Sequence, residues 1–231
     1  MNELRHSPLP KHALRTRPVH IPIWVLLTLL IVPVAGTVWF GFVDTAPLGI
    51  DQFWHDSVVA HRPGFSFSLA YALHVVGSTK FMAAIGAVIT LFFVVMQRWR
   101  EAIAVASTLI GVLVVTKIIK FFVDRPRPMD MLVEQDETSF PSGHSLGGAA
   151  IMTILVCIIV VNNQSHRVVH GAAVSLGSVY VLTMMWSRTA LHVHWLSDVV
   201  SGSVLGVTVA LLSARLVLRL QVENEHEIQT R

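Results

Sequence analysis

Charge is scarce in this sequence. Only 13% of its 231 residues are Asp, Glu, Lys or Arg, against about 25% in an average soluble protein. The few charges are bunched, leaving long stretches with none. A disordered chain would need low hydrophobicity and high charge, whereas here 53% of residues are hydrophobic and mean hydropathy is +0.63. Cysteine is nearly absent: Cys157 stands alone, which excludes an intrachain disulfide framework. There is no internal repeat and no low-complexity segment. A basic stripe is also missing. The net charge is +3 and the pI about 9.4, but the basic residues are split among loops between apolar segments, so nucleic acid is not an expected partner. The class left standing is a polytopic membrane protein.

A helix needs about 20 mostly apolar residues to cross the hydrocarbon. Residues 21–43 carry no charge and follow Arg5, Lys11, Arg15 and Arg17. That run exceeds the roughly 7–15-residue apolar core of a secretory signal, so it reads as a first span. Residues 81–97, 102–123, 145–161, 171–187 and 199–214 supply five more. The expected fold is therefore all-α, a bundle of six transmembrane helices with both termini cytoplasmic. It divides into a basic arm at 1–20, one domain at 21–218 and a tail at 219–231. The stretch 44–80 is ambiguous. Residues 51–61 look amphipathic, while 64–76 are apolar but short, which suits a re-entrant or interfacial helix or an extension of the second span through Gly77-Ser78.

Orientation follows from Lys and Arg counts. With the N-terminus inside, ten of the 17 basic residues are cytoplasmic: four in the arm, Arg98 and Arg100, Arg167, and three in the tail. The other seven are Arg62, Lys80, Lys117, Lys120, Arg125, Arg127 and Arg188, and five of these lie in or beside the motifs that follow.

Three motifs stand out. The first is Lys120-Phe-Phe-Val-Asp-Arg-Pro-Arg127-Pro128. The second is Pro141-Ser142-Gly143-His144. The third is Ser187-Arg188, then His194 and Asp198. The first lies at the outer end of span three, the second opens span four, and the third joins spans five and six. Two crossings separate the second from the third, so all three share one membrane face.

These motifs resemble those of the type-2 phosphatidic acid phosphatase family, lipid phosphatases that share a core with vanadium haloperoxidases. The resemblance covers roughly residues 65–215. The family's usual small residue before the first Arg-Pro is Asp124 here, outside the defining positions. Lys120, Arg127 and Arg188 suit a phosphate cradle, since arginine offers a planar fork and lysine a point charge. Ser142 suits a helix N-cap, and Gly143 lets the backbone of that positive helix end come close to an anion. The resemblance implies that His194 is the nucleophile and forms a phosphohistidine. It implies that Asp198 orients His194, and that His144 protonates the leaving oxygen and then activates water. Lys117 reads instead as a snorkelling lysine, Arg125 as a loop charge or secondary contact, and His55, His61, His74 and His192 as interfacial polar residues.

Two other readings compete. His144, His192, His194 and Asp198 could ligate zinc, although five nearby cations oppose a dication there. A transporter would place ionisable groups near the midplane. Here Lys120 falls about 27 Å along the helix that starts at Ala102, near its outer boundary. The expectation is thus an enzyme of a bacterial plasma (inner) membrane. It would use no cofactor and no metal, and would act from the extracytoplasmic side on a lipid phosphate partly embedded in the bilayer. Similar six-span bacterial enzymes act on phosphatidylglycerophosphate, phosphatidate or undecaprenyl pyrophosphate. These residues choose neither among those lipids nor an oligomeric state.

Overall fold

A computed structural model of the chain describes residues 21–163 and 166–229, with side chains through Leu218. The basic arm at 1–20 and the tail side chains from 219 lie outside the described residues. Eight helices follow one another: α1 (Ile23–Phe42), α2 (Gly49–Ser57), α3 (Phe65–Val76), α4 (Thr79–Val95), α5 (Trp99–Phe122), α6 (Gly143–Asn162), α7 (Arg167–Ala190) and α8 (Leu196–Gln229). No strand occurs among the described residues.

Five helices, α1, α5, α6, α7 and the Leu196–Leu218 part of α8, are long and apolar enough to span a bilayer, and α3 with α4, bent by 59° at their junction, forms either a sixth, broken span or a re-entrant loop. The bend sits at Gly77-Ser78. Gly77 ends α3, and the Ser78 hydroxyl caps α4 by accepting the Phe81 N–H at 3.4 Å. The expected second span is thus α4 preceded at a sharp bend by α3, and the ambiguous 44–80 stretch resolves into two short helices before that bend. The last helix runs further than expected, to Gln229 instead of ending near Ala214. Its continuation holds Arg, Leu, Gln and Glu with no Gly or Pro, so nothing local stops it.

The bundle is built around α6, which is mostly buried, whereas α1 and α7 are mostly exposed. The outer helices turn Trp24, Leu27, Ile31, Leu176, Val179 and Leu182 outward. In a bilayer those side chains meet lipid tails, so their exposure carries no hydrophobic cost. The tightest contact joins α6 and α8 through Gly202 and Gly206. A Cβ at Gly206 would fall 2.2 Å from the Leu146 carbonyl oxygen, and one at Gly202 2.6 Å from that of Ser142. Without an apolar driving force between helices, such small residues let backbones pack directly.

Helix ends position the polar residues. Helix α5 stops at Val123, which is extended, just before Asp124-Arg-Pro126-Arg-Pro128, where each proline disfavours helix in the residue preceding it. The loop from Val123 to Ser142 then crosses the mouth of the bundle. A tight turn links α7 to α8, and within it His192 adopts a φ of 53°.

Candidate active site

The C-terminal ends of α5 and α7 and the N-terminal ends of α6 and α8 meet at one end of the bundle. The three motifs converge there. His194 is almost fully buried in the α7–α8 turn. Its Nε2 lies 3.1 Å from Arg127 Nη1. A guanidinium can only donate, so Nε2 presents a lone pair and Nδ1 carries the hydrogen. On the Nδ1 side the Ser139 hydroxyl is 3.4 Å away and itself donates to Asp198 Oδ2 at 2.5 Å. The direct His194 Nδ1 to Asp198 Oδ2 separation is 3.7 Å, too long for a hydrogen bond. The carboxylate thus stands within ion-pair distance of the ring and is joined to it by hydrogen bonds only through Ser139. Sequence reasoning missed Ser139 because it sits in the irregular loop, outside every motif.

Asp198 occupies the first turn of α8 and accepts the Trp195 backbone N–H at 2.9 Å, as an acidic residue at the third position of a capping box does. Its other oxygen is paired with Arg125 Nη1. Arg125 is wholly buried and also donates to Asp51 at 2.8 Å and to the Ser197 hydroxyl at 2.8 Å. Asp51 accepts the Ser197 N–H as well, at 2.8 Å, and the Arg125 guanidinium lies 3.7 Å from the centre of the Phe40 ring. Of the two readings of Arg125, the secondary contact is the one observed: it is the centre of a buried network that fixes Asp198 from behind. Asp51 lies 74 residues before Arg125, a distance at which the sequence gives no sign of the pairing.

The predicted cradle residues sit around this core. Lys120 Nζ donates to the Thr138 carbonyl at 2.6 Å and pairs with Glu137 at 3.2 Å. Arg127 donates to the carbonyls of Val193 at 2.6 Å, Glu137 at 2.5 Å and Thr138 at 3.3 Å. Ser142 caps α6, its hydroxyl accepting the Ser145 N–H at 3.5 Å, which leaves the N–H groups of Gly143 and His144 without intrahelical partners. Nothing lies within 4 Å of where a Gly143 Cβ would sit, so this helix end is open. The Ser142 N–H donates to the Asp198 carbonyl at 3.2 Å, joining the second motif to the third.

Arg188 is fully buried. Its Nη1 lies 3.0 Å from His74 Nδ1, and its Nε and Nη2 are buried without a protein partner. His144 donates Nε2–H to the His74 carbonyl at 3.1 Å, and the two rings stack 5.5 Å apart. His74 is therefore part of the site, correcting its reading as an interfacial residue. Its register on α3, brought over α6 by the break at Gly77-Ser78, was not visible in the sequence. Burial, and then Arg127, Arg188 and Lys120 in that order, hold the His194 imidazole well below its ordinary range of 6.5. The ring is neutral at physiological pH.

An apolar cavity of about 580 Å³ runs from this cluster down between α4, α5 and α6. Lys120, Glu137 and Gly143 rim its polar end, and Met82, Leu109 and Leu113 line its depth. Lys117 also lines it and is exposed. The alternative zinc set is not assembled. Among the described residues the one trio of metal-capable groups is His55, Asp130 and His192, with ligand atoms within 4.8 Å of one another. His192 shares no hydrogen-bond partner with His194.

The PAP2 superfamily model matches residues 100–221, more than half the chain. The chain is 32% identical over 101 residues to phosphatidylglycerophosphatase B of Bacillus subtilis (strain 168), a match covering 42% of this chain and 48% of that protein. It thus spans about half the length of that curated relative. Its fold is similar to the crystal structure of the first transmembrane PAP2 type phosphatidylglycerolphosphate phosphatase from Bacillus subtilis. The TM-score is 0.67 at 22% identity, covering 83% of this chain and 93% of the other. Aquifex aeolicus LpxE aligns with a TM-score of 0.55 at 18% identity, over 72% of this chain and 93% of its own. Motifs, bundle and family match agree, and this helical membrane protein belongs to the PAP2 superfamily of phosphatases.

Proposed function

We propose that the protein hydrolyses the phosphate headgroup of a membrane lipid through a phosphohistidine on His194, on the extracytoplasmic side of a bacterial plasma membrane. The observation that carries this reading is Arg188. Two of its donor nitrogens are buried with no protein acceptor, and a buried unpaired donor costs about 1–3 kcal/mol or more. A phosphate oxygen repays that cost. Lys120, Arg127 and the open amides of Gly143 and His144 complete a cradle for the equatorial oxygens, where positioned charge does most of the work of phosphoryl transfer.

The chemistry then follows from the tautomers. The His194 Nε2 lone pair attacks phosphorus while Nδ1–H is held by Ser139 and, through it, by Asp198. Phosphorylation leaves the imidazole positively charged, and the Asp198 carboxylate compensates. His144 has committed Nε2–H to His74, so Nδ1 is its free nitrogen. Once a bound phosphate offsets the Arg188 charge, Nδ1 can take up a proton, give it to the departing lipid oxygen, and then take one from the water that cleaves the phosphohistidine. No step needs a metal.

The apolar cavity supports a lipid substrate. It offers room for tails directly beneath the polar cluster, and a substrate held there keeps its acyl or prenyl chains out of water while its headgroup reaches His194. Phosphatidylglycerophosphate, phosphatidate and undecaprenyl pyrophosphate all fit this description. The positive-inside count supports the outward orientation and cytoplasmic termini, and the division into arm, six-span domain and tail is retained in this proposal.

The test is release of phosphate from a panel of lipid phosphates by purified protein, with His194→Ala as control. Turnover should vanish in the variant, persist in EDTA and be inhibited by vanadate, which imitates five-coordinate phosphorus. Full activity in His194→Ala would reject the nucleophile assignment, and loss of activity in EDTA would reject the metal-free mechanism. If liposomes instead show solute flux that His194→Ala abolishes, transport is the better reading.

A further inference from the structure

His55, Asp130 and His192 form a cluster that the phosphatase chemistry does not use. His55 comes from α2, Asp130 from the loop after the first motif, and His192 from the α7–α8 turn. His55 Nε2 lies 3.2 Å from Asp130 Oδ1, and His192 Nδ1 lies 2.8 Å from Asp130 Oδ2. The two imidazole rings are 3.8 Å apart. Neighbouring donor atoms around a tetrahedral zinc, bound at about 2.0–2.1 Å, stand roughly 3.3 Å from each other, close to the two histidine–carboxylate spacings, and the stacked rings would fan apart for both to reach one ion.

The hydrogen bonds give a second, independent reason. His192 Nε2 lies 3.0 Å from the Val58 carbonyl oxygen, which can only accept, so Nε2 carries the hydrogen. In a neutral ring Nδ1 then turns a lone pair toward the Asp130 carboxylate, which also offers only lone pairs. Either a second ring proton or a metal cation shared by the two groups resolves the conflict, and a metal would take the place of that proton. An imidazole that donates its remote N–H to a backbone carbonyl while its other nitrogen faces a carboxylate is the arrangement metal-binding histidines use to fix their tautomer. The scaffold is held in place already. Ala60 N–H donates to the Ala190 carbonyl at 2.8 Å, and Leu132 N–H to that of Leu191 at 3.0 Å, tying all three segments together. Asp130 is 59% exposed and His55 18% exposed on their side chains, so an ion has a path in and room for a water as further ligand.

We propose that His55, Asp130 and His192 bind a borderline transition-metal dication such as zinc, at the rim of the bundle and outside the phosphate pocket. The ion clasps the segment that follows Arg127 to the turn that precedes His194. This rests on none of the catalytic roles assigned above.

Zinc itself is the probe. Full-length protein, free of any polyhistidine tag and stripped with EDTA, is dialysed against micromolar zinc, and the bound metal is counted by mass spectrometry. One zinc per chain is expected in the parent protein and in His144→Asn, and none in His55→Gln or Asp130→Asn, whose partly exposed positions tolerate substitution. Limited proteolysis within residues 129–137 should slow when zinc is added to the parent and not to these variants. No bound zinc in the parent, or equal zinc in the variants, overturns the site. Stoichiometric zinc without protection of that segment overturns the clasp.

Discussion

His194 is held in one tautomer by neighbours on both sides of its ring: the Arg127 guanidinium at Nε2 and the Ser139 hydroxyl at Nδ1. The same Arg127 helps to keep the ring uncharged. In the proposed mechanism only the neutral ring attacks phosphorus, so activity should be lost as pH falls through the folded value, which lies well below 6.5. Removing the Arg127 charge lets that value rise, and at any acidic pH less of the ring is then neutral. Arg127→Gln should therefore shift the acid limb of kcat/KM to higher pH, besides weakening phosphate binding; an acid limb that stays put would refute the electrostatic cause. His144→Ala should lower kcat by about 10²–10⁴-fold, the usual worth of acid–base help, in single-turnover assays on protein that remains folded in detergent. The residues that converge at the site from the three motifs were legible in sequence because they occur in short, ordered runs. Ser139, Asp51 and His74 were not, since each reaches the site through a loop path or a helix register set by packing.

Helix boundaries obey local rules, and helix contacts do not. Ser142 was identifiable as a cap because capping chemistry is confined to a few consecutive residues. The seam between α6 and α8 depends on Gly202 and Gly206 meeting particular carbonyls of another helix, which the spacing of two glycines alone does not specify. Gly206→Ala places a methyl against the Leu146 carbonyl. Overpacking of this kind costs about 1–3 kcal/mol, so the thermal midpoint in detergent should fall. An unchanged midpoint would mean the seam relaxes freely. Asp51→Asn tests the buried network. Breaking a buried ion pair costs about 3–5 kcal/mol, and Arg125 would keep Asp198 as its one charged partner, so both stability and turnover should drop.

Across the whole molecule, the five unbroken crossings were legible from apolar run lengths, because the bilayer imposes one length on every span. The bent α3–α4 pair was legible only as an ambiguity, since neither of its halves is long enough alone. The cavity was not legible at all, for a space between three helices belongs to no stretch of sequence. Gly147 lines that cavity, and a Cβ there would meet nothing within 4 Å. Gly147→Leu should thus fill the space without disturbing the backbone. It should raise KM for long-chain lipid phosphates and leave a short water-soluble phosphate ester nearly unaffected. Equal effects on both substrates would remove the cavity from the binding path.

The glycine seam between α6 and α8 also limits how the protein can move. It fastens the amides of Gly143 and His144 and the His194 ring to one rigid body, with the Ser142–Asp198 backbone hydrogen bond as a rivet. Whatever door admits a substrate and releases a product cannot open by parting those two helices. The hinge must lie elsewhere, on the side where α4 and α5 wall the apolar cavity. Half of the reaction centre is thus an anvil, and any breathing falls to the other half.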